Sequence, residues 1–369
     1  MMTMAVEGVT DIELIARIGK GQFGLVYRAT MKPHGLVAAK EIDCDVMAKR
    51  LGTVDWDILR DHLFAEAETL RKAAHEHVVR LFSVHYDGPK KHVYIITELC
   101  DAGLHASITN GPLPLAIARK YVRHALLGLE ALHGRGMVHR DLKPANILTT
   151  RGAAKLSDFG LVTDKLVAGY ASQQGYLEHL APEVISNART SAKSDVWAMG
   201  LTIFRLLNGE PWYADAQAAL GIDWTDPPAA IHRVKYLLAA GKFAARLPWM
   251  PHVPDQWRRF VRKAMSDQPA KRYQTGGEML TALSTLALPE GPSWECTVSS
   301  GSIVWRRAKE TREEVAELKI TAPLYEYNAV SQPLPGLTGR RLTHAASKRP
   351  VSRKAALAAL QAFFATRTM

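Results

Sequence analysis

The chain has 369 residues, 47% of them hydrophobic and 22% charged, with a formal net charge of +11. That balance excludes a disordered polyelectrolyte and a fibrous repeat, and the length suggests two or three compact units. The basic excess is local: residues 327–369 hold seven Lys or Arg and no acid, leaving 40 basic against 36 acidic residues elsewhere, a balance of +4. The longest apolar run, "VWAMGLTIFRLL", is too short to cross a bilayer and is broken by Arg205, and the start lacks a signal-peptide pattern. A cytoplasmic chain without a transmembrane segment is expected. Cys44, Cys100 and Cys296 are odd in number and too far apart for a C-x-x-C pair, as free thiols in a reducing compartment would be.

In chain order, "IGKGQFGLVYRA" at residues 18–29 contains G-x-G-x-x-G at Gly19, Gly21 and Gly24. Alone this is a weak signal, because any glycine turn can produce it. A dinucleotide site needs a helix to open inside the motif. Here Val, Tyr and Thr follow the last glycine and favour a strand, so the glycines read as the lid of a hairpin. The next strand, "GLVAAKEI", places Ala38 and Lys40 on one face by its two-residue alternation. A small side chain beside a reaching cation suits an adenine and its phosphates. "WDILRDHLFAEAETLRKAA" then reads as a helix, and "YIITELCDAG" as a strand running into a loop. Downstream stand "HRDLKPANIL", "LSDFGLV" and "LAPEV", in that order.

With these motifs the chain resembles the protein kinase superfamily over residues 11–287, and Lys143 with Pro144 is similar to its eukaryotic-like serine/threonine branch. The resemblance implies an α+β, bilobal fold: a β-rich N-lobe (11–97), a hinge (98–103) and a helical C-lobe (104–287). It implies ATP and Mg²⁺, with Ile18, Gly19, Lys20, Gly21, Gln22, Phe23, Gly24, Val26, Ala38, Lys40, Thr97, Glu98, Cys100 and Leu148 around the nucleotide. Thr97 takes the gatekeeper position, and Glu98 and Cys100 offer backbone groups to the adenine edge. Lys40 pairs with the α and β phosphates and is held by Glu66, preferred over Glu68 for its spacing to the following strand. Asp141 is the base, Lys143 steadies the γ phosphate, and Asn146 and Asp158 hold Mg²⁺ through hard oxygens. Glu183 with Arg272 is expected as a buried ion pair, and Asp195 beneath the catalytic loop.

The resemblance also implies that Arg140 meets a phosphate on the activation segment, with Ser172 as the matching site, Thr163 and Tyr170 as alternatives, and His62 as a possible neighbour. One departure stands out. In "GYLEHLAPE" the family's threonine and proline are replaced by Tyr176 and Leu177, which makes the acceptor pocket unusual. The implied activity is phosphorylation of protein serine or threonine, including the chain itself. A small-molecule kinase and a nucleotide-binding signalling scaffold are the competing readings.

Beyond the resemblance, residues 291–320 read as a small appended module, with a hairpin in "SWECTVSSGSIVWRR" and a helix in "KETREEVAEL". Trp294 and Trp305 are its expected core; aromatic platforms for nucleic acid beside Arg306 and Arg307 are the alternative. Residues 321–350, rich in Pro and Gly, read as a linker. Residues 351–369 read as a basic amphipathic helix capped by Ser352, with Leu357, Leu360 and Phe364 as its apolar stripe. That stripe is expected on the chain's own kinase domain first, then on a partner protein, then on nucleic acid or a membrane.

Overall fold

The computed structural model describes residues 4–5, 12–20, 24–51, 64, 67, 71, 74–158, 179–187, 190–288, 291–321 and 323–367; for 4–5 and 48–51 it describes the backbone alone. A β-rich N-terminal region, a helical region and a C-terminal sheet follow one another, so the α+β bilobal class expected from the sequence is the observed one.

The N-terminal sheet has six strands: β1 (Met4–Ala5), β2 (Ile12–Lys20), β3 (Gly24–Met31), β4 (Gly35–Asp43), β5 (Leu81–Asp87) and β6 (His92–Glu98). They are ordered β1-β2-β3-β4-β6-β5 and all pair antiparallel. Alternation along β4 decides its two faces: Val37 and Ala39 are buried in the sheet's own core, while Ala38 and Lys40 face the other way. The register aligns Val26, Lys40 and Ile95 across three strands, and Ala38 with Thr97. Gly24 is required where β3 meets β4, since a Cβ there would lie 1.6 Å from the Glu41 carbonyl oxygen. Helix α1 (Cys44–Leu51) follows β4. Of the helix expected over residues 56–74, Phe64, Ala67 and Arg71 are helical.

The helical region opens with the short strand β7 (Ala102–Gly103), α2 (Leu104–Ser107) and α3 (Leu115–His133). Strands β8 (Ile147–Thr150) and β9 (Ala153–Leu156) come next, then α4 (Pro182–Asn187) and α5 (Ala192–Asn208). The remaining helices are α6 (Glu210–Ala219), α7 (Pro227–Ala239), α8 (Phe243–Arg246), α9 (Asp255–Ala264) and α10 (Gly276–Ser284). From Ser194 to its end α5 is buried on every side, so it forms the axis of the region. A capping box between Ser191 and Ser194 starts it, and each polar group it carries into the interior must find a partner there. Asn208 does so with the Phe204 carbonyl and the Met250 N–H.

The C-terminal part departs from expectation. Residues 309–318, expected as a helix, lie mostly in β12 (Arg312–Thr321), between β11 (Ser302–Ala308) and β13 (Leu324–Pro333) in an antiparallel sheet ordered β10-β11-β12-β13-β14, whose edges are β10 (Glu295–Val298) and β14 (Leu342–Ala346). Glu, Ala, Leu and Lys favour helices in isolation, but in "EVAEL" Glu314, Ala316 and Leu318 alternate inward against Arg307, Trp305 and Ile303, and burial in the sheet outweighs local preference. The stretch expected as a linker, 321–350, contains β13 and β14. Its Pro333 ends β13 opposite Arg312, and Pro335 and Gly336 lie in the connection between the two strands.

The hairpin of β10 and β11 is as expected, and so is the last helix, α11 (Arg353–Ala365), whose Ser352 cap accepts the Ala355 N–H at 3.3 Å. Its Leu360, Phe363 and Phe364 are buried. Phe364 packs edge-on against Trp294, Trp305 and His252, and Arg353 lies over Trp212 of the helical region. The stripe is therefore spent inside the chain, and the buried Trp294 and Trp305 are core residues, not stacking platforms.

Candidate active site

A cavity of about 370 Å³ opens between the N-terminal sheet and the helical region. Ile18, Gly19, Lys20, Val26, Ala38, Lys40, Thr97, Glu98, Cys100, Leu148, Asn146 and Asp158, all singled out in the sequence, line it, whereas Asp141 and Lys143 are not among its lining residues. Gly24 does not; its place in strand pairing explains it instead. Gly21, Gln22, Phe23 and Glu66 lie outside the described residues, as do Glu68, His62, Thr163, Tyr170, Ser172, Tyr176 and Leu177.

The loop between α3 and β8 holds the densest chemistry. Asp141 accepts two hydrogen bonds from Lys143 Nζ, at 2.9 and 3.0 Å, and one from Asn146 Nδ2 at 2.7 Å. Asn146 also donates to the Asp141 carbonyl at 2.8 Å, and its own carbonyl accepts from the Ser157 N–H at 2.9 Å. Ser157 precedes Asp158, so this bond ties the loop to the second acid. Asp158 in turn pairs with Lys40 of β4, 118 residues earlier in the chain. Burial alone would raise the Asp158 pKa, but the charge and hydrogen bond of Lys40, helped by Lys143 and His139, hold it below the usual carboxylate range. Lys40, Asp141, Lys143, Asn146 and Asp158 thus converge. Arg140 and Asp158 have left-handed φ angles of 71° and 51°, a conformation that costs non-glycine residues about 1–3 kcal/mol and clusters at working sites.

The support under this loop is saturated with bonds. Asp195 of α5 accepts from the His139 and Arg140 N–H groups at 2.7 and 2.9 Å and from His133 Nε2 at 3.0 Å. His133 Nδ1 accepts from the Gly276 N–H, which fixes its neutral tautomer. Arg272 and Glu183 form a two-pronged pair at 2.7 and 2.8 Å, with the guanidinium also over Trp197. Both pairings are as the sequence reading expected.

At the hinge, Glu98 accepts from Lys155 at 2.7 and 2.8 Å and from the Arg80 N–H at 2.7 Å. Burial, reinforced by Glu98, pushes the Cys100 thiol up to about 11, so it stays protonated at neutral pH. Sequence reasoning missed Val79, Leu81, Ile95, Ala145 and Ser157 among the lining residues. Ile95 was within reach, since strand alternation puts it on the face of Thr97. His179 was also missed: its ring bridges the Leu142 carbonyl (3.0 Å) and Arg205 (2.7 Å), two positions that no local pattern connects.

A two-lobed fold with a cation from the sheet, an acid and an amide at the cleft, and a second acid bonded to that amide, defines a phosphate-handling, nucleotide-site protein class. The family model described as "Protein kinase domain" matches residues 12–282, and the chain belongs to the protein kinase family. It is 32% identical over 214 residues to Serine/threonine-protein kinase ATG1a of Arabidopsis thaliana, covering 55% of this chain and 32% of that protein. It is 36% identical over 214 residues to Cytokinesis protein sepH of Aspergillus terreus, covering 56% of this chain and 15% of the relative. Cell division control protein 7 of Schizosaccharomyces pombe is 34% identical over 221 residues, 59% of this chain and 19% of the relative. The chain therefore spans a third or less of the length of each of these relatives. Among the described residues, no helix is long and apolar enough to cross a membrane.

Proposed function

We propose that the chain transfers the γ-phosphoryl group of ATP to serine or threonine hydroxyls of proteins, its own activation segment included. The observation that carries this reading is that Lys40, Asn146 and Asp158 line one largely apolar cavity, while Asn146 is bonded to Asp141 and Asp141 to Lys143. Similarity to a relative named as a serine/threonine-protein kinase adds support.

Adenine fits the slot of Val26, Ala38, Thr97 and Leu148, with hinge backbone at its edge. The triphosphate then runs toward Lys40. An acceptor hydroxyl beside Asp141 gives its proton toward that carboxylate as its oxygen bonds to the γ phosphorus, while the bond from phosphorus to the bridging oxygen breaks and ADP leaves with that electron pair. Lys143, already bonded to Asp141, would steady the charge on the transferring group. Asp158, held ionised, and Asn146, with an amide oxygen, are donors of the hard type that Mg²⁺ takes, and both face the cavity. Bound there, Mg²⁺ would neutralise charge on the phosphates.

Labelled ATP with the wild type and Asp141→Asn tests the reading. Phosphoserine or phosphothreonine on protein should form with the wild type and fall by about 10²–10⁴-fold in the variant, the usual worth of a positioned base. Equal labelling of both proteins, or labelling confined to a small molecule, would reject it.

A further inference from the structure

We propose that His179 is a positioning residue for phosphoryl transfer, holding the backbone just after Asp141 as Asp195 holds it just before; this inference rests on the function proposed above. Two bonds meet the loop just before Asp141, where the His139 and Arg140 N–H groups donate to Asp195. One meets it just after, where His179 Nδ1 lies 3.0 Å from the Leu142 carbonyl oxygen. Asp141 is bracketed.

The chemistry of the partners dictates how His179 works. A carbonyl only accepts, so Nδ1 must carry the proton. Arg205 Nη1 only donates and sits 2.7 Å from Nε2, so Nε2 must present its lone pair. One neutral tautomer satisfies both contacts. Burial comes first in holding the ring well below its ordinary pKa, with Arg205 and Lys143 adding to it, and the geometry has already required the neutral form.

Arg205 is in turn fixed by two bonds to Glu210, at 2.8 and 2.9 Å, and the Glu210 N–H is tied to the Ile108 carbonyl. Arg205 and Asp195 both stand on α5, about 15 Å apart along its axis at 1.5 Å per residue. One buried helix therefore grips both flanks of the catalytic aspartate: directly through Asp195, and through an imidazole supplied by the segment that leads into A-P-E.

Three variants separate the two ring contacts. In His179→Asn the amide nitrogen replaces Nδ1 and can still donate to Leu142. His179→Gln reaches Arg205 but not Leu142, and His179→Phe keeps the volume and loses both. We expect kcat to fall about 10- to 100-fold in Phe and Gln, the scale of a small misplacement at a reacting centre. It should stay within about threefold of wild type in Asn, with KM for ATP within about twofold throughout. Hydrogen exchange across residues 141–146 should quicken in Phe and Gln and not in Asn.

Wild-type kcat in His179→Phe, or an Asn variant that loses as much kcat and melting temperature as Phe, would overturn the proposal. If Phe fails to fold, Asn against Gln decides it. If the wild type transfers no phosphate while the exchange order holds, the enzymatic reading fails and the bracket on the loop stands.

Discussion

The charges that face the cleft and the charges beneath it are built on opposite plans. Lys40 and Asp158 meet in a contact that keeps 21% and 44% of their side chains exposed, on a backbone bent into the left-handed region at Asp158. Asp195 and Arg272 are 2% and 0% exposed, and Asp195 accepts three bonds while Arg272 makes four. Under the proposed function the cleft pair releases its partners to a triphosphate and so is not saturated in advance, whereas a brace is. The same sequence therefore spends stability at the cleft and recovers it one layer below.

This contrast predicts where substitutions will be felt. Asp158→Asn, which tolerates the same φ, should lower transfer by about 10²–10³-fold, the equivalent of several kcal/mol of lost charge stabilisation. Its melting should move by no more than about 1 kcal/mol, since open ion pairs contribute little. Kinetics beside calorimetry would show it; a large loss of stability would mean that the cleft pair is itself a brace. Glu183→Gln should behave in reverse, costing about 3–5 kcal/mol in denaturant unfolding by stranding the Arg272 charge, with kcat of the folded fraction close to wild type.

The smallest effect is expected in the C-terminal sheet, where Glu314 accepts from Arg307 at 2.6 and 2.9 Å and from Arg367 at 3.1 Å. Burial works to raise the pKa of Glu314, but Arg307, then Lys309 and Arg367, hold it below the usual value. A lowered folded-state pKa contributes stability above the unfolded carboxylate's pKa and loses it as pH falls through the folded one. Glu314→Gln should cost about 1–3 kcal/mol at pH 7, and melting curves of variant and wild type should converge in acid. A gap independent of pH would assign the effect to packing.

The sequence was legible where chemistry restricts residue type. Under the proposed function few side chains can serve at positions 40, 141, 146 and 158, so their identities and order carry the information across 118 residues. It was illegible where a pattern serves two structures. "EVAEL" is a good helix by propensity and a good strand by alternation, and only the partners Trp305 and Ala329, distant in sequence, decide. His179 and Arg205 show a third case. An arginine interrupting the apolar run of α5 signals that a buried cation needs company, but the identity of its companions is a fact of packing. The cap at Ser352 was readable because it is local; the contact of Phe364 with His252 was not.

The aromatic cluster of Trp294, Trp305, Phe363 and Phe364 belongs to the same continuous core as α5 and the helices around it. Heat should then melt the terminal sheet and the helical region in a single cooperative transition. Whatever grips or loosens that sheet from outside would register in the free energy of the very helix on which Asp195 and Arg205 stand.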